Sequence, residues 1–144
     1  MSDAHDDGLA VDMHLESARG LRAAQAREQV RKLMTAWAAA YAQAPVGDAF
    51  ATRLQDALLA CSELVSNAHR HGGGLTRFAA RVEGDVLLLE ADDRSPEPPV
   101  APTGVRVGPG GFGWALVQTV ATETAVRVHP GGGGKTVTVR LPLG

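Results

Sequence analysis

The sequence holds a single cysteine, Cys61, in 144 residues. A lone thiol excludes an internal disulfide framework and any zinc site built from several cysteines, and it suits a reducing, cytoplasmic setting. Long apolar runs are missing too: no stretch approaches the ~20 residues that a membrane helix needs. Positive charge is scarce. The chain has 14 Lys and Arg against 16 Asp and Glu, a net charge of -2, and no basic block is present that could neutralise many phosphates of a nucleic acid. The opening residues, MSDAHDDGLA, lack a basic segment followed by an apolar one, so no secretory signal is expected. Residues 1–8 read as a disordered acidic tail. The remainder, with 44% hydrophobic and 21% charged residues overall, suffices for the core of one soluble domain, 9–144.

Periodicity divides that domain. Leu9, Val11, Met13 and Leu15 alternate with polar or small residues, the period of a half-buried strand. From Ala18 onward Val30, Leu33, Met34, Trp37 and Tyr41 fall on one helical stripe with arginines opposite, which predicts an amphipathic helix ending near Pro45 and Gly47. A second helix starts around Asp48, whose side chain can cap the first turn. It carries Phe50, Leu54, Ala57, Leu58, Cys61, Leu64, Val65 and Ala68 on its apolar face and stops at Gly72-Gly73-Gly74. Strands over 76–83 and 86–93 join at Gly84-Asp85, a hairpin signal. Residues 94–111 contain five of the eight prolines and four glycines, which excludes both helix and central strand there. A loop of that length in a small domain is functional or disordered. A short helix from Gly113 to about Thr122 and strands over 124–129 and 135–141 complete the chain. The expected fold class is α/β, a two-layer sandwich with helices on one face of a mixed, mostly antiparallel sheet.

Four local patterns can carry chemistry. Glu63 and Asn67 lie about 40° apart on the second helix, away from its apolar stripe. They are either an exposed i, i+4 pair or a carboxylate able to take a proton beside an amide oxygen able to ligate Mg²⁺. Asp93 ends the row Leu87, Leu89, Ala91, which faces the helices. A carboxylate there needs a partner, so Asp93 is either an acceptor for a ligand's amino group or a turn residue before Arg94-Ser95-Pro96. Gly111 and Gly113 open a helix, where backbone amides can face a phosphate or form a hinge. Gly131-Gly132-Gly133-Gly134-Lys135-Thr136 imitates a phosphate-binding loop, but a strand follows instead of a helix and the first glycine is missing. It reads as a hairpin turn.

In order and spacing, Glu63-x-x-x-Asn67, Asp93, a proline- and glycine-rich lid, Gly111-x-Gly113 and a Gly-Lys-Thr strand together resemble the Bergerat-type ATP-binding domain shared by gyrase, heat-shock chaperones, histidine kinases and MutL. Residues 63–72, ELVSNAHRHG, look most like the stand-alone anti-sigma-factor serine/threonine kinases, in particular their small actinobacterial relatives. The resemblance spans roughly residues 9–142. It implies ATP and Mg²⁺ as cofactors, Asn67 as the metal ligand and Glu63 as the general base. It further implies Asp93 as acceptor of the adenine amino group, Thr136 as the hydroxyl supporting Asp93 through water, and Gly111 and Gly113 as phosphate holders beneath a lid over 94–111. The family's usual Asp-x-Gly-x-Gly is here Asp93-Arg94-Ser95-Pro96-Glu97, without either glycine.

The implied function is a cytoplasmic ATP-dependent protein serine/threonine kinase and anti-sigma factor. It would regulate transcription by switching between a sigma factor and an anti-anti-sigma (STAS-type) protein, with room for a homodimer and with neither nucleic acid nor membrane as a direct partner. Two alternatives stand beside it: a catalytically inactive, nucleotide-gated interaction module, and an interaction protein that binds no nucleotide.

Overall fold

The computed structural model describes residues 10–14, 18–41, 46–98 and 113–144. Three helices pack on a five-stranded sheet. The strands are β1 (Ala10–His14), β2 (Leu75–Glu83), β3 (Val86–Asp93), β4 (Glu123–Val128) and β5 (Lys135–Pro142). The helices are α1 (Ala23–Ala40), α2 (Gly47–Arg70) and α3 (Gly113–Val120). Sheet order is β1-β2-β3-β5-β4, and every neighbouring pair is antiparallel, where the sequence left room for a mixed sheet.

Each helix forms where its apolar residues recur on one face. Ala26, Val30, Leu33, Met34 and Trp37 of α1 are buried, as are Ala57, Ala60, Cys61, Leu64, Val65 and Ala68 of α2. They meet the inward rows of the sheet, Phe78, Ala80 and Val82, then Leu87, Leu89 and Ala91, then Val137, Val139 and Leu141. The Trp37 indole N–H donates to the Gly84 carbonyl at 3.0 Å, tying α1 to the β2–β3 turn. Tyr41 does not extend the stripe. The helix ends at Ala40, and Tyr41 is 44% exposed, its ring 5.4 Å from that of Trp37.

Asp48 does not cap α2 either. Val46 holds the cap position without a side-chain bond, and Asp48 lies inside the first turn, where its charge complements the helix dipole. Gly84, at φ 65°, makes the turn between β2 and β3. After β4 a short 3-10 turn, Pro130–Gly132, leads through Gly134 into β5. The tail 1–8, Leu9 and Leu15 of the first strand, Pro45, Gly111 and all of the lid beyond Pro98 lie outside the described residues. Among the described residues, no helix is long and apolar enough to cross a membrane.

Candidate functional site

The C-terminal half of α2 organises the site. Its apolar stripe holds it against the sheet, so Glu63 and Asn67 emerge along one flank, one turn apart. Glu63 does not face open solvent as a simple surface pair would. Its Oε1 is buried and has no hydrogen-bond partner among the described residues, because α3 returns across it. Gly113, the first residue of α3, packs so close that a Cβ there would overlap the Glu63 carboxylate. Desolvation raises the Glu63 carboxyl above its usual range, and the Arg70 charge pulls it partly back. A carboxyl with raised proton affinity is better suited to accept a proton than an ordinary exposed one.

Asn67 is half-buried one turn further on. Its backbone carbonyl accepts the amides of His71 at 2.8 Å and Gly72 at 3.1 Å, closing the helix. The chain then reverses through Gly73 and Gly74, at φ 75° and 118°, a left-handed excursion that side chains disfavour. The Arg94 amide donates to the Gly72 carbonyl at 2.8 Å. That bond brings the end of β3 to the end of α2, and a Cβ on Gly72 would overlap the carboxyl group of Asp93. Glu63, Asn67 and Asp93 therefore line one continuous strip. Seven helical steps, about 10 Å at 1.5 Å each, separate Glu63 from Arg70, the last residue of α2.

Asp93 ends the inward row as its alternation predicts and is 5% exposed. It is not an open acceptor. Lys135 Nζ donates to Oδ1 at 3.0 Å and to Oδ2 at 2.9 Å, and the Ser95 amide donates to Oδ1 at 2.9 Å. Asp93 and Lys135 stand opposite each other in the β3–β5 register.

Thr136, expected to support Asp93, points to the other face of the sheet, as strand alternation requires once Lys135 points inward. It pairs with Asp92, donating to Asp92 Oδ1 at 2.8 Å, and His129 Nε2 lies 2.9 Å from its hydroxyl. On that outer face Arg77 spans three carboxylates, Asp12 at 3.2 Å, Glu90 at 3.0 Å and Asp92 at 3.5 Å.

Gly113 opens α3, where the sequence placed the start of a helix, and packs beside Glu63, while Gly111 is outside the described residues. Sequence reasoning missed Lys135 and Gly72. The signal for Lys135 was the alternation of Val137, Val139 and Leu141, which puts it on the inward face, but its position opposite Asp93 depends on a pairing remote in the chain. Gly134 was read only as a turn residue, yet a Cβ on it would overlap the backbone carbonyl of Asp93.

Residues 22–141 match the family of histidine kinase-like ATPase domains. The match takes in both long helices and all strands except β1, and the chain belongs to that family. It is an α/β ATPase-type domain of the superfamily that includes gyrase, heat-shock chaperones, histidine kinases and MutL, and membership implies ATP binding, usually with Mg²⁺. No curated protein matched the chain.

The residues present fit that ligand unequally. At one end, the orphaned Glu63 oxygen leaves polar capacity, with the bare Cα of Gly113 packed directly against the carboxylate. Among the described residues no three His, Cys, Asp or Glu side chains are placed to hold a metal ion together, so a Mg²⁺ here would rely on Asn67 together with water and phosphate oxygens. At the other end, Asp93 fits an adenine amino group only once its lysine yields.

Proposed function

We propose that the protein is an ATP- and Mg²⁺-dependent regulator of the partner-switching kind, a protein serine/threonine kinase that holds a sigma factor and phosphorylates an anti-anti-sigma partner. The observation that carries this reading is Glu63, a half-buried carboxylate whose Oε1 is buried and unsatisfied among the described residues, one helix turn from Asn67 and against the start of α3. A structural carboxylate is ordinarily paired or solvated. One with an oxygen that no described residue satisfies, and with its proton affinity raised, is placed to accept the proton of an incoming hydroxyl.

Each residue then has a task. The Asn67 side-chain oxygen would hold the metal, Asp93 would receive the base, and the amides at the start of α3 would face the phosphates, favoured by the helix dipole. Bound Mg·ATP supplies the transferable phosphoryl group and neutralises its charge. Positioning does most of the remaining work in such a transfer.

The test is transfer of labelled phosphate from ATP to a serine of a STAS-type partner. Glu63→Gln should keep Mg·ATP affinity while transfer falls by roughly 10² or more. Full transfer by Glu63→Gln would remove Glu63 from the chemistry. A second reading, a nucleotide-gated module that transfers nothing, draws on the pairing of Asp93 with Lys135 and on Arg94-Ser95-Pro96 in place of glycines. It predicts partner binding that responds to Mg·ATP with no phosphate transfer by the native protein.

A further inference from the structure

β5 delivers a cation to the carboxylate that an adenine ring would need. An ammonium has three N–H donors, and all three of Lys135 have acceptors: Asp93 Oδ1 at 3.0 Å, Asp93 Oδ2 at 2.9 Å and the Ser95 carbonyl at 3.2 Å. Asp93 is enclosed in turn. Oδ1 also takes the Ser95 amide at 2.9 Å, and the Gly72 backbone packs against the carboxyl group. Asp93 is 5% exposed and Lys135 4%, and among the described residues the lysine is the side chain that holds both carboxylate oxygens.

We propose that Lys135 is an internal occupant of the base position. Its ammonium stands where a ligand's exocyclic amine must donate, so a nucleotide seats on Asp93 only when Lys135 Nζ leaves. The inference rests on the nucleotide-binding reading above. Two consequences follow from mass action and hydrogen bonding. Affinity is lowered by the fraction of molecules in which the lysine has left. A base that presents an amine compensates the abandoned carboxylate, whereas one that presents a carbonyl oxygen sets lone pair against lone pair in a buried site. Any discrimination against hypoxanthine belongs to the vacated Asp93 carboxylate, whereas the lysine lowers the affinity of either base by the same factor.

The composition of the chain makes this measurable, because Lys32 and Lys135 are its only lysines. Selective ¹³C-lysine labelling yields two side-chain NMR signals, and Lys135→Met identifies the buried one by its loss. Saturating Mg·ATP should shift the Lys135 signal and leave that of exposed Lys32 in place. Mg·ITP, with oxygen in place of the amine, should move neither. By calorimetry, Lys135→Met should bind Mg·ATP about tenfold or more tightly than the native protein.

Heat of Mg·ATP binding with an unmoved Lys135 signal, or a folded Lys135→Met with unchanged or weaker affinity, overturns the proposal alone. Absence of heat in both proteins, together with a silent lysine, overturns the nucleotide reading as well. If methionine at position 135 prevents folding, the native protein decides: a signal that Mg·ATP shifts supports the proposal and one that it leaves unmoved overturns it.

Discussion

The carboxylate of Glu63 on α2 rests against the Cα of Gly113, the first residue of α3, with no room between them for a methyl group. The glycine therefore serves packing as well as helix initiation. Gly113→Ala should cost about 1–3 kcal/mol by forcing the two helices or the carboxyl group to shift. Urea denaturation measures the loss. Adding Glu63→Ala should return most of it, since the two changes share one volume and are not additive. Equal losses in the single and double variants would mean that the glycine acts through its backbone instead.

The proton affinity of Glu63 sets a sign for the pH dependence of folding. Desolvation raises its carboxyl from the ordinary value of 4.5, against the pull of Arg70. The folded chain then holds this proton more tightly than the unfolded chain does. Its contribution is fully present below about 4.5 and is lost as pH rises through the elevated folded value, then levels off. Glu63→Gln has no proton to lose. Its stability relative to the native protein should climb across that window and plateau above it, as followed by thermal melts at a series of pH values.

Removing one member of a buried ion pair strands the other. Asp93→Ala and Lys135→Ala should each destabilise the fold by about 3–5 kcal/mol. Replacing both by apolar residues of similar size should recover much of that loss. Denaturant midpoints of the singles and the double give the comparison, and singles with near-native midpoints would show that water reaches the pair.

Thr136 belongs to the outer network with Asp92 and His129. Thr136→Val should cost about 1 kcal/mol of stability through the lost hydrogen bond and leave Mg·ATP affinity unchanged. Calorimetry that showed weakened Mg·ATP binding for Thr136→Val would restore Thr136 to the site.

Burial pushes the Cys61 thiol up to about 12. The folded protein should therefore be inert to aromatic disulfide reagents at about pH 8, where an ordinary thiol reacts readily. Full reactivity should appear only in denaturant. Rapid labelling of the native chain would mean that α2 opens locally.

Much of this architecture was legible in local sequence. The stripes of α1 and α2 and the hairpin at Gly84-Asp85 follow from patterns within a few residues, and so does the inward direction of Asp93. What could not be read depends on partners remote in the chain. The burial of Glu63 needs α3, which returns from fifty residues downstream. The pairing of Asp93 with Lys135 needs β5 beside β3 rather than beside β1, and in one particular register. The alternation of Val137, Val139 and Leu141 already puts Lys135 on the inward face and Thr136 on the outer one. Spacing did not say that β5 would lie beside β3 with Lys135 opposite Asp93.

The sheet order has a consequence for how the chain reaches this state. β5 lies between β3 and β4, so a strand made after the other described strands is an interior one. Until residues near 142 have emerged from the ribosome, β3 presents an unpaired apolar edge and β4 has nothing to join. The helices and the β2–β3 hairpin can form early from local contacts, but the sheet closes only as a late, long-range event. During that interval the nascent chain exposes the edges most prone to pairing with other chains, and Asp93 waits without its cation.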